Sequence, residues 1–273
     1  MKAARVEYRG GPHAAVVQDD ELALVPDPGT EPIDLIAAEG WEGLAAAAAQ
    51  VVTRSEVRLL APVARPSKMF GVGINYRDHA AEQGKELPSR PIVFAILPSS
   101  VIGPGDPIPV HPEITELDYE AELGVVIGKR CFRVPRSRAW DVIGGYTALN
   151  DVSARDLQRD DGQWIRAKGL DGFTPLGPVL VSPDEIDAGA VDVRCFVNGE
   201  SRQSSNTRNL ALDIPALIEY CSGGMTLEPG DVIATGTPGG VGFAMTPPRF
   251  LQAGDVVTVE VEGIGELTNP VGG

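Results

Sequence analysis

The sequence predicts an α+β protein that is mostly β, and three observations predict it. Short runs of apolar and β-branched residues, bounded by glycine, proline or aspartate, recur along most of the chain. Residues 191–197 and 200–203 flank Asn198-Gly199, the strongest short-range hairpin signal present. Helical periodicity is confined to brief segments between these runs.

Taken in order, residues 4–8, 14–18 and 22–25 alternate and are separated by Gly10-Gly11-Pro12 and Asp19-Asp20, which predicts a small antiparallel unit. Residues 33–38 and 44–52 predict helices split by Gly40, and Pro62 and Pro66 mark a linker. The boundary falls near Arg65, giving a small N-terminal α+β domain at 1–65 and a main domain at 66–273. The main domain opens with a strand at 68–74, where Gly71 and Gly73 leave room for another backbone or a ligand. A helix follows, with Asn75 as N-cap, Asp78 in its first turn and Gly84 as its stop. A strand at 92–96, a Gly/Pro-rich passage at 98–112 and a strand at 118–129 come next. Residues 153–159 predict a short helix with Arg155 and Gln158 on one side. Thr207 caps a further helix, 214–221 has helical period, 231–235 empties into a glycine loop, and 255–262 pairs with 264–269 about Gly263.

Composition narrows the function. The 273 residues carry 23 basic and 38 acidic side chains, a net charge of −15. That balance repels phosphate backbones and anionic lipid, so neither nucleic acid nor membrane is an expected partner. A small anionic substrate remains compatible, because a local cation overrides the global field. No stretch is long enough to span a bilayer, and the polar start Met1-Lys2-Ala3-Ala4-Arg5 lacks a signal-peptide core. Cys131, Cys195 and Cys221 are scattered and odd in number, as expected of reduced thiols in a cytoplasmic protein.

Chemistry concentrates in a few motifs. Asp118-Tyr119-Glu120-Ala121-Glu122 starts a strand, so Glu120 and Glu122, two apart, point the same way. Side-by-side carboxylates repel, and protonation, a basic neighbour or a bound cation relieves the repulsion. They either line a solvated strand face opposite Lys or Arg, or hold a cation with a third ligand such as Asp151. Oxygen-only ligands favour Mg²⁺ or Mn²⁺ over Zn²⁺. His79 and Glu82, three apart on a helix, suit a base oriented by a carboxylate, or form an exposed pair of little consequence. Arg155 either clamps a substrate carboxylate or pairs with Asp156 or Asp160. Lys168 enters a constrained glycine- and proline-rich turn. The loop Thr235-Gly236-Thr237-Pro238-Gly239-Gly240-Val241-Gly242 offers backbone N–H groups to an anion and is not a Walker loop.

Taken together, Gly73-Ile74-Asn75-Tyr76-Arg77-Asp78-His79, Asp118-Tyr119-Glu120-Ala121-Glu122, Asn150-Asp151-Val152-Ser153-Ala154-Arg155-Asp156, Lys168-Gly169-Leu170-Asp171 and the 235–242 loop resemble the fumarylacetoacetate hydrolase family, from about Met69 onward. The N-terminal unit is similar to the small domain of bacterial members. The resemblance implies a mixed β-sheet roll, usually a homodimer. It also implies Glu120, Glu122 and Asp151 as Mg²⁺ or Mn²⁺ ligands and His79 with Glu82 as a water-activating dyad. Lys168 falls near the reacting oxygen, and Arg155, Gln158 and Thr237 at substrate-contacting positions.

The activity so implied is divalent-metal-dependent C–C cleavage in a small 2-oxo acid through a metal-stabilised enolate. It takes the form of 2,4-dioxo acid hydrolysis of the acylpyruvate or fumarylpyruvate type, or of oxaloacetate-type decarboxylation. Alternatives are an isomerase of aromatic-acid catabolism, a ureidoglycolate lyase and a non-catalytic ligand-binding relative. One departure bears on these. Ile96 stands where many relatives carry lysine, which is expected to make the pocket more apolar.

Overall fold

The computed structural model describes residues 1–272. The strands are β1 (Lys2–Tyr8), β2 (Gly11–Gln18), β3 (Glu21–Leu24), β4 (Gln50–Thr53), β5 (Arg58–Leu60), β6 (Met69–Gly73), β7 (Ile92–Ile96), β8 (Val101–Ile102) and β9 (Leu117–Asp118). They continue with β10 (Ala121–Ile127), β11 (Ile143–Asn150), β12 (Ser153–Ala154), β13 (Thr174–Val181), β14 (Asp192–Val197), β15 (Glu200–Asn206), β16 (Val232–Ala234), β17 (Val256–Val261) and β18 (Gly265–Pro270). The helices are α1 (Pro32–Ala47), α2 (Arg77–Glu82), α3 (Arg155–Asp160), α4 (Ile165–Lys168) and α5 (Ile214–Ser222).

The protein is α+β and mostly β, as expected. A mixed twelve-stranded sheet runs β4-β3-β2-β1-β13-β11-β10-β16-β6-β7, with β5 on β1 and β8 on β13. Two of its pairings, β16 with β6 and β13 with β8, are parallel. The N-terminal strands continue it, because Lys2 and Ala3 of β1 face Val181 and Leu180 of β13. A four-stranded antiparallel sheet, β15-β14-β17-β18, and the short pair β12-β9 complete the fold. Asn198 and Gly199 both take positive φ in the β14-β15 turn, the geometry that made Asn-Gly a hairpin signal.

Burial is deepest at the centre of the large sheet, where every residue of β10 and of β11 is buried. Such strands are covered on both faces, so a carboxylate on one of them must find hydrogen bonds or counter-charge. Glu122 lies on β10 and Asp151 immediately follows β11.

Several local expectations differ from the structure, each for a physical reason. Gly40, at φ 76, interrupts α1 as expected, but the helix ends at Ala47 and residues 50–53 form β4. β-Branched Val51, Val52 and Thr53 gain a ladder against β3. Asn75 is not the N-cap of α2; Tyr76 occupies that position without a side-chain cap. The Asn75 amide instead accepts from Leu212 N–H and donates to the carbonyls of Leu212 and Thr235, tying three loops together. Thr207 is likewise not a cap. Asn206 accepts from Arg208 N–H, and the Thr207 hydroxyl accepts from Val191 N–H. Gly71 makes room for the Phe94 ring rather than for a backbone or ligand, and Gly73 makes room for the Trp164 ring while also lining the cavity. Ile96 is 1% exposed and packs in the core with Met69 and Val126. It does not line the cavity that α2, α3 and α4 surround, so the expected apolar pocket does not arise from it.

Candidate active site

A cavity of about 490 Å³ opens where α2, α3, α4 and the glycine loop converge. Of the nine residues picked out in the sequence, His79, Glu120, Arg155, Gln158, Lys168 and Thr237 line its wall. Glu82, Glu122 and Asp151 are not on the wall: Glu82 touches His79, and Asp151 is reached through Lys168.

Glu120, Glu122 and Asp151 each offer a carboxylate oxygen, all within 4.8 Å of one another. All three are buried, which removes the solvated-face reading. The short excursion between β9 and β10 is held by Asn150, whose side chain accepts from Glu120 N–H at 3.0 Å. Asp151 N–H donates to the Glu120 carbonyl at 2.9 Å, so the two segments cross-brace each other. Glu122 accepts from Gly236 N–H at 2.7 Å. Gly236 sits at φ 106, and an added Cβ would lie 2.8 Å from Asn75 Cβ, so only glycine brings that N–H to the carboxylate.

Two cations are built in. Lys168, 2% exposed, donates from Nζ to Glu120 at 2.8 Å, to Asp151 at 2.7 Å and to Ser153 at 2.8 Å. Arg155 donates from Nε to Asp118 at 2.9 Å and from Nη1 to Gln158 at 3.0 Å, and its Nη2 lies 2.6 Å from Glu120. Its guanidinium carbon stands 4.4 Å from the centre of the Phe243 ring. Neither Asp156 nor Asp160 pairs with it, because Arg155 points inward from the first turn of α3.

The charges do not balance within the protein. Fully ionised, Asp118, Glu120, Glu122 and Asp151 would carry four negative charges against two on Arg155 and Lys168. Burial and this crowding of charge shift the carboxyl pKa values. Burial would raise Glu120, but Lys168, Arg155 and His79 hold it down to about 2. Burial pushes Asp151 up to about 6 despite Lys168, and Glu120 adds to the rise. Burial, Asp151 and Glu120 together drive Glu122 well above the usual carboxylate range. Asp151 Oδ1 is moreover buried without a hydrogen-bond partner. A hard divalent cation fits this oxygen set, its orphaned acceptor and its two uncompensated charges.

On the facing side, His79 is 5% exposed. Its Nδ1 lies 3.3 Å from Glu82 Oε2, and Glu82 Oε1 accepts from Gly240 N–H at 2.9 Å. Burial is the largest influence on the ring and holds its pKa below the ordinary value, with Glu120 and Glu82 pulling the other way.

The glycine loop does bind anions, but they are the protein's own. Gly236 donates to Glu122, Gly239 to Asp78, Gly240 to Glu82, and Gly242 and Phe243 to Asp118. The Thr237 hydroxyl, also on the cavity wall, donates to the Ala121 carbonyl and accepts from Gln203. Sequence reasoning alone misses Asp118, Gln203, Gln83, Trp164 and Phe243. Asp118 stands in the acidic motif, but nothing local shows that it faces Arg155, 37 residues on.

Comparison with known proteins gives the family. Residues 68–272 match the family profile described as "Fumarylacetoacetate (FAA) hydrolase C-terminal". The chain belongs to the fumarylacetoacetate hydrolase family. It is 48% identical over 223 residues to oxaloacetate tautomerase YisK of Bacillus subtilis, covering 80% of this chain and 74% of that one. The solved fumarylacetoacetate hydrolase of Exiguobacterium antarcticum superposes with a TM-score of 0.90 at 42% identity, over 100% of this chain and 99% of that one. Maleylpyruvate hydrolase of Sphingobium sp. SYK-6, solved with manganese(II) and pyruvate, gives 0.83 at 33% identity, with the same coverage of both chains. Among the described residues, no helix is long and apolar enough to cross a membrane.

Proposed function

We propose that this chain is a divalent-cation-dependent enzyme acting on a small 2-oxo acid of the oxaloacetate type, at the carbon next to the 2-oxo group. The observation that carries the reading is that Glu120, the two fixed cations and a neutral imidazole share one cavity wall, with Glu122 and Asp151 clustered on Glu120. Support also comes from relatives named as an oxaloacetate tautomerase and a maleylpyruvate hydrolase.

Glu120, Glu122 and Asp151 would hold Mg²⁺ or Mn²⁺, which when bound supplies Lewis-acid stabilisation of negative charge on the substrate's oxo oxygen. The protein's own groups do the rest. Arg155, fixed on three sides, presents planar positive charge to a carboxylate at the wall, and Gln158 extends that edge. All three protons of Lys168 are engaged, so it contributes fixed positive charge rather than a mobile proton. His79, with Glu82 fixing its tautomer, is the proton acceptor. Loss of CO₂ from a 3-carboxylate needs only stabilisation of the charge left behind. Proton exchange at that carbon, or attack by water on a 4-oxo group, needs His79 as well.

A non-catalytic role sits poorly with two buried acids, Glu122 and Asp151, whose charged forms the fold disfavours without a cation. A homodimer in the cytoplasm is the expected form, and light scattering tests the dimer. The activity test pairs oxaloacetate, followed for enol decay and CO₂ loss, with acetylpyruvate, followed for cleavage. We expect acceleration of oxaloacetate turnover that is lost to a chelator and restored by Mn²⁺. Turnover of neither substrate with Mn²⁺ present would sink the reading.

A further inference from the structure

We propose that Gln83 is a positioning residue that sets specificity: its amide caps the basic nitrogen of His79 and sets the ratio of base-dependent to base-free reactions. The inference rests on the 2-oxo acid reading above.

Both ring nitrogens of His79 are engaged. Glu82 is pinned by Gly240 N–H through one oxygen and faces Nδ1 through the other. A carboxylate only accepts, so Nδ1 carries the proton and Nε2 keeps the lone pair that a base needs. Gln83 Nε2 lies 2.6 Å from that atom. The amide is oriented by the same chemistry. Turned over, its oxygen would oppose the nitrogen lone pair, unless the ring were doubly protonated in a buried place that disfavours it. Gln83 is half-buried on the cavity wall, at the C-cap of α2, just before Gly84 at φ 61. Its side chain extends from a residue just past the final helical position, Glu82.

Consider water attack on a 2,4-dioxo acid. The water gives one proton to His79 Nε2 while its oxygen bonds to the 4-carbonyl carbon. The C3–C4 bond then breaks, the electron pair stays on C3, and the proton returns from His79 to C3. The products are a carboxylic acid and a 2-oxo acid. The first transfer requires Gln83 to leave, and a hydrogen bond of ordinary strength there is a roughly two- to tenfold handicap. Decarboxylation of a 3-carboxylate sends its electron pair to the same carbon without using Nε2, and escapes the handicap.

The test compares the wild-type protein, loaded with Mn²⁺, with Gln83→Met, which keeps length but cannot donate, and with Gln83→Leu. The ratio of acetylpyruvate cleavage to oxaloacetate decarboxylation should rise roughly two- to tenfold in both variants. An unchanged or lower ratio would overturn the proposal. The second measurement is the ¹⁵N resonance of His79 Nε2 in the metal-free protein, which should move in both variants toward that of an unbonded imidazole lone pair. A resonance that stays in place would also overturn it. If the wild-type protein turns over neither substrate, the functional reading fails, while the resonance still decides whether the cap exists.

Discussion

Arg155 Nε donates to Asp118 Oδ2 at 2.9 Å, and the carboxylate that receives it has no exposed surface. The other oxygen of Asp118 accepts from Gly242 N–H at 2.8 Å, so this one side chain joins β9, α3 and the glycine loop. Phe243, next in the loop, closes over the guanidinium. Asp118→Ala leaves Arg155 with Glu120 alone and strips the buried Gly242 N–H of its acceptor, so it should cost about 3–5 kcal/mol in urea unfolding. Asp118→Asn should cost less, because the amide oxygen still accepts from the loop. A loss below about 1 kcal/mol for the alanine variant would mean that Glu120 alone compensates Arg155.

The acidic triad predicts opposite effects with and without a cation. In the metal-free protein Glu122 is an acid whose charge burial, Asp151 and Glu120 all oppose. Glu122→Gln keeps an oxygen for Gly236 N–H and removes that repulsion, so the metal-free Tm should rise. The Tm gain on adding Mn²⁺ should shrink in the same variant, since a ligand charge is gone. The pH dependence has a defined sign. Asp151 titrates near 6 when folded against 3.8 as an ordinary group, so the folded state binds the proton more tightly. Its contribution to metal-free stability is therefore present below about pH 3.8 and lost as pH rises through about 6. Saturating Mn²⁺ should abolish that decline, because a bound cation needs the carboxylate ionised. Calorimetric scans between pH 4 and 7, with and without the ion, measure both effects. A metal-free Tm that climbs over this range in wild type but not in Asp151→Asn would contradict the assignment.

The dyad predicts a pH profile for the hydrolytic reaction. Burial keeps His79 neutral below the ordinary imidazole value of 6.5, so the acid limb of kcat/KM should lie below that pH. Glu82 favours the charged ring, so Glu82→Gln should move the limb to still lower pH while lowering the plateau. His79→Ala should reduce acetylpyruvate cleavage by roughly 10²- to 10⁴-fold and leave oxaloacetate decarboxylation much less affected. Equal loss of both reactions would show that His79 serves binding or structure rather than proton transfer.

Much of this site was legible because its chemistry is local. Glu120 and Glu122 are two apart, His79 and Glu82 three apart, Arg155 and Gln158 three apart, and each pair meets as its spacing predicts. What the sequence could not show is which distant group each donor would find. Asn75 looked like a cap because Asn before a helix usually is one, yet residues 160 and 137 positions away claimed its amide. The glycine loop read as an anion site for a ligand, and tertiary structure supplied four internal carboxylates instead. Ile96 looked like a lost active-site cation, but the pleat of β7 turns it into the core. In each case a long-range partner outweighed a sound local preference.

The strand beside β7 sets the last prediction, at Gly73 of β6. An added Cβ there would lie 2.6 Å from Cζ3 and 3.0 Å from Cη2 of Trp164. Trp164 lines the cavity and packs edge-on against Phe94, with ring centres 5.2 Å apart. The Phe94 ring in turn lies 5.3 Å from Lys168 Nζ. Gly73→Ala therefore forces the indole toward the cavity or loads the Phe94 contact, at a cost of about 1–3 kcal/mol. We expect KM to rise more than kcat falls, since the cavity narrows while His79 and the triad stay in place, and tryptophan emission to shift. Trp164→Leu in the same chain removes the clash and should restore stability toward that of Trp164→Leu alone. Two substitutions that simply add in unfolding experiments would show that Gly73 and Trp164 do not meet.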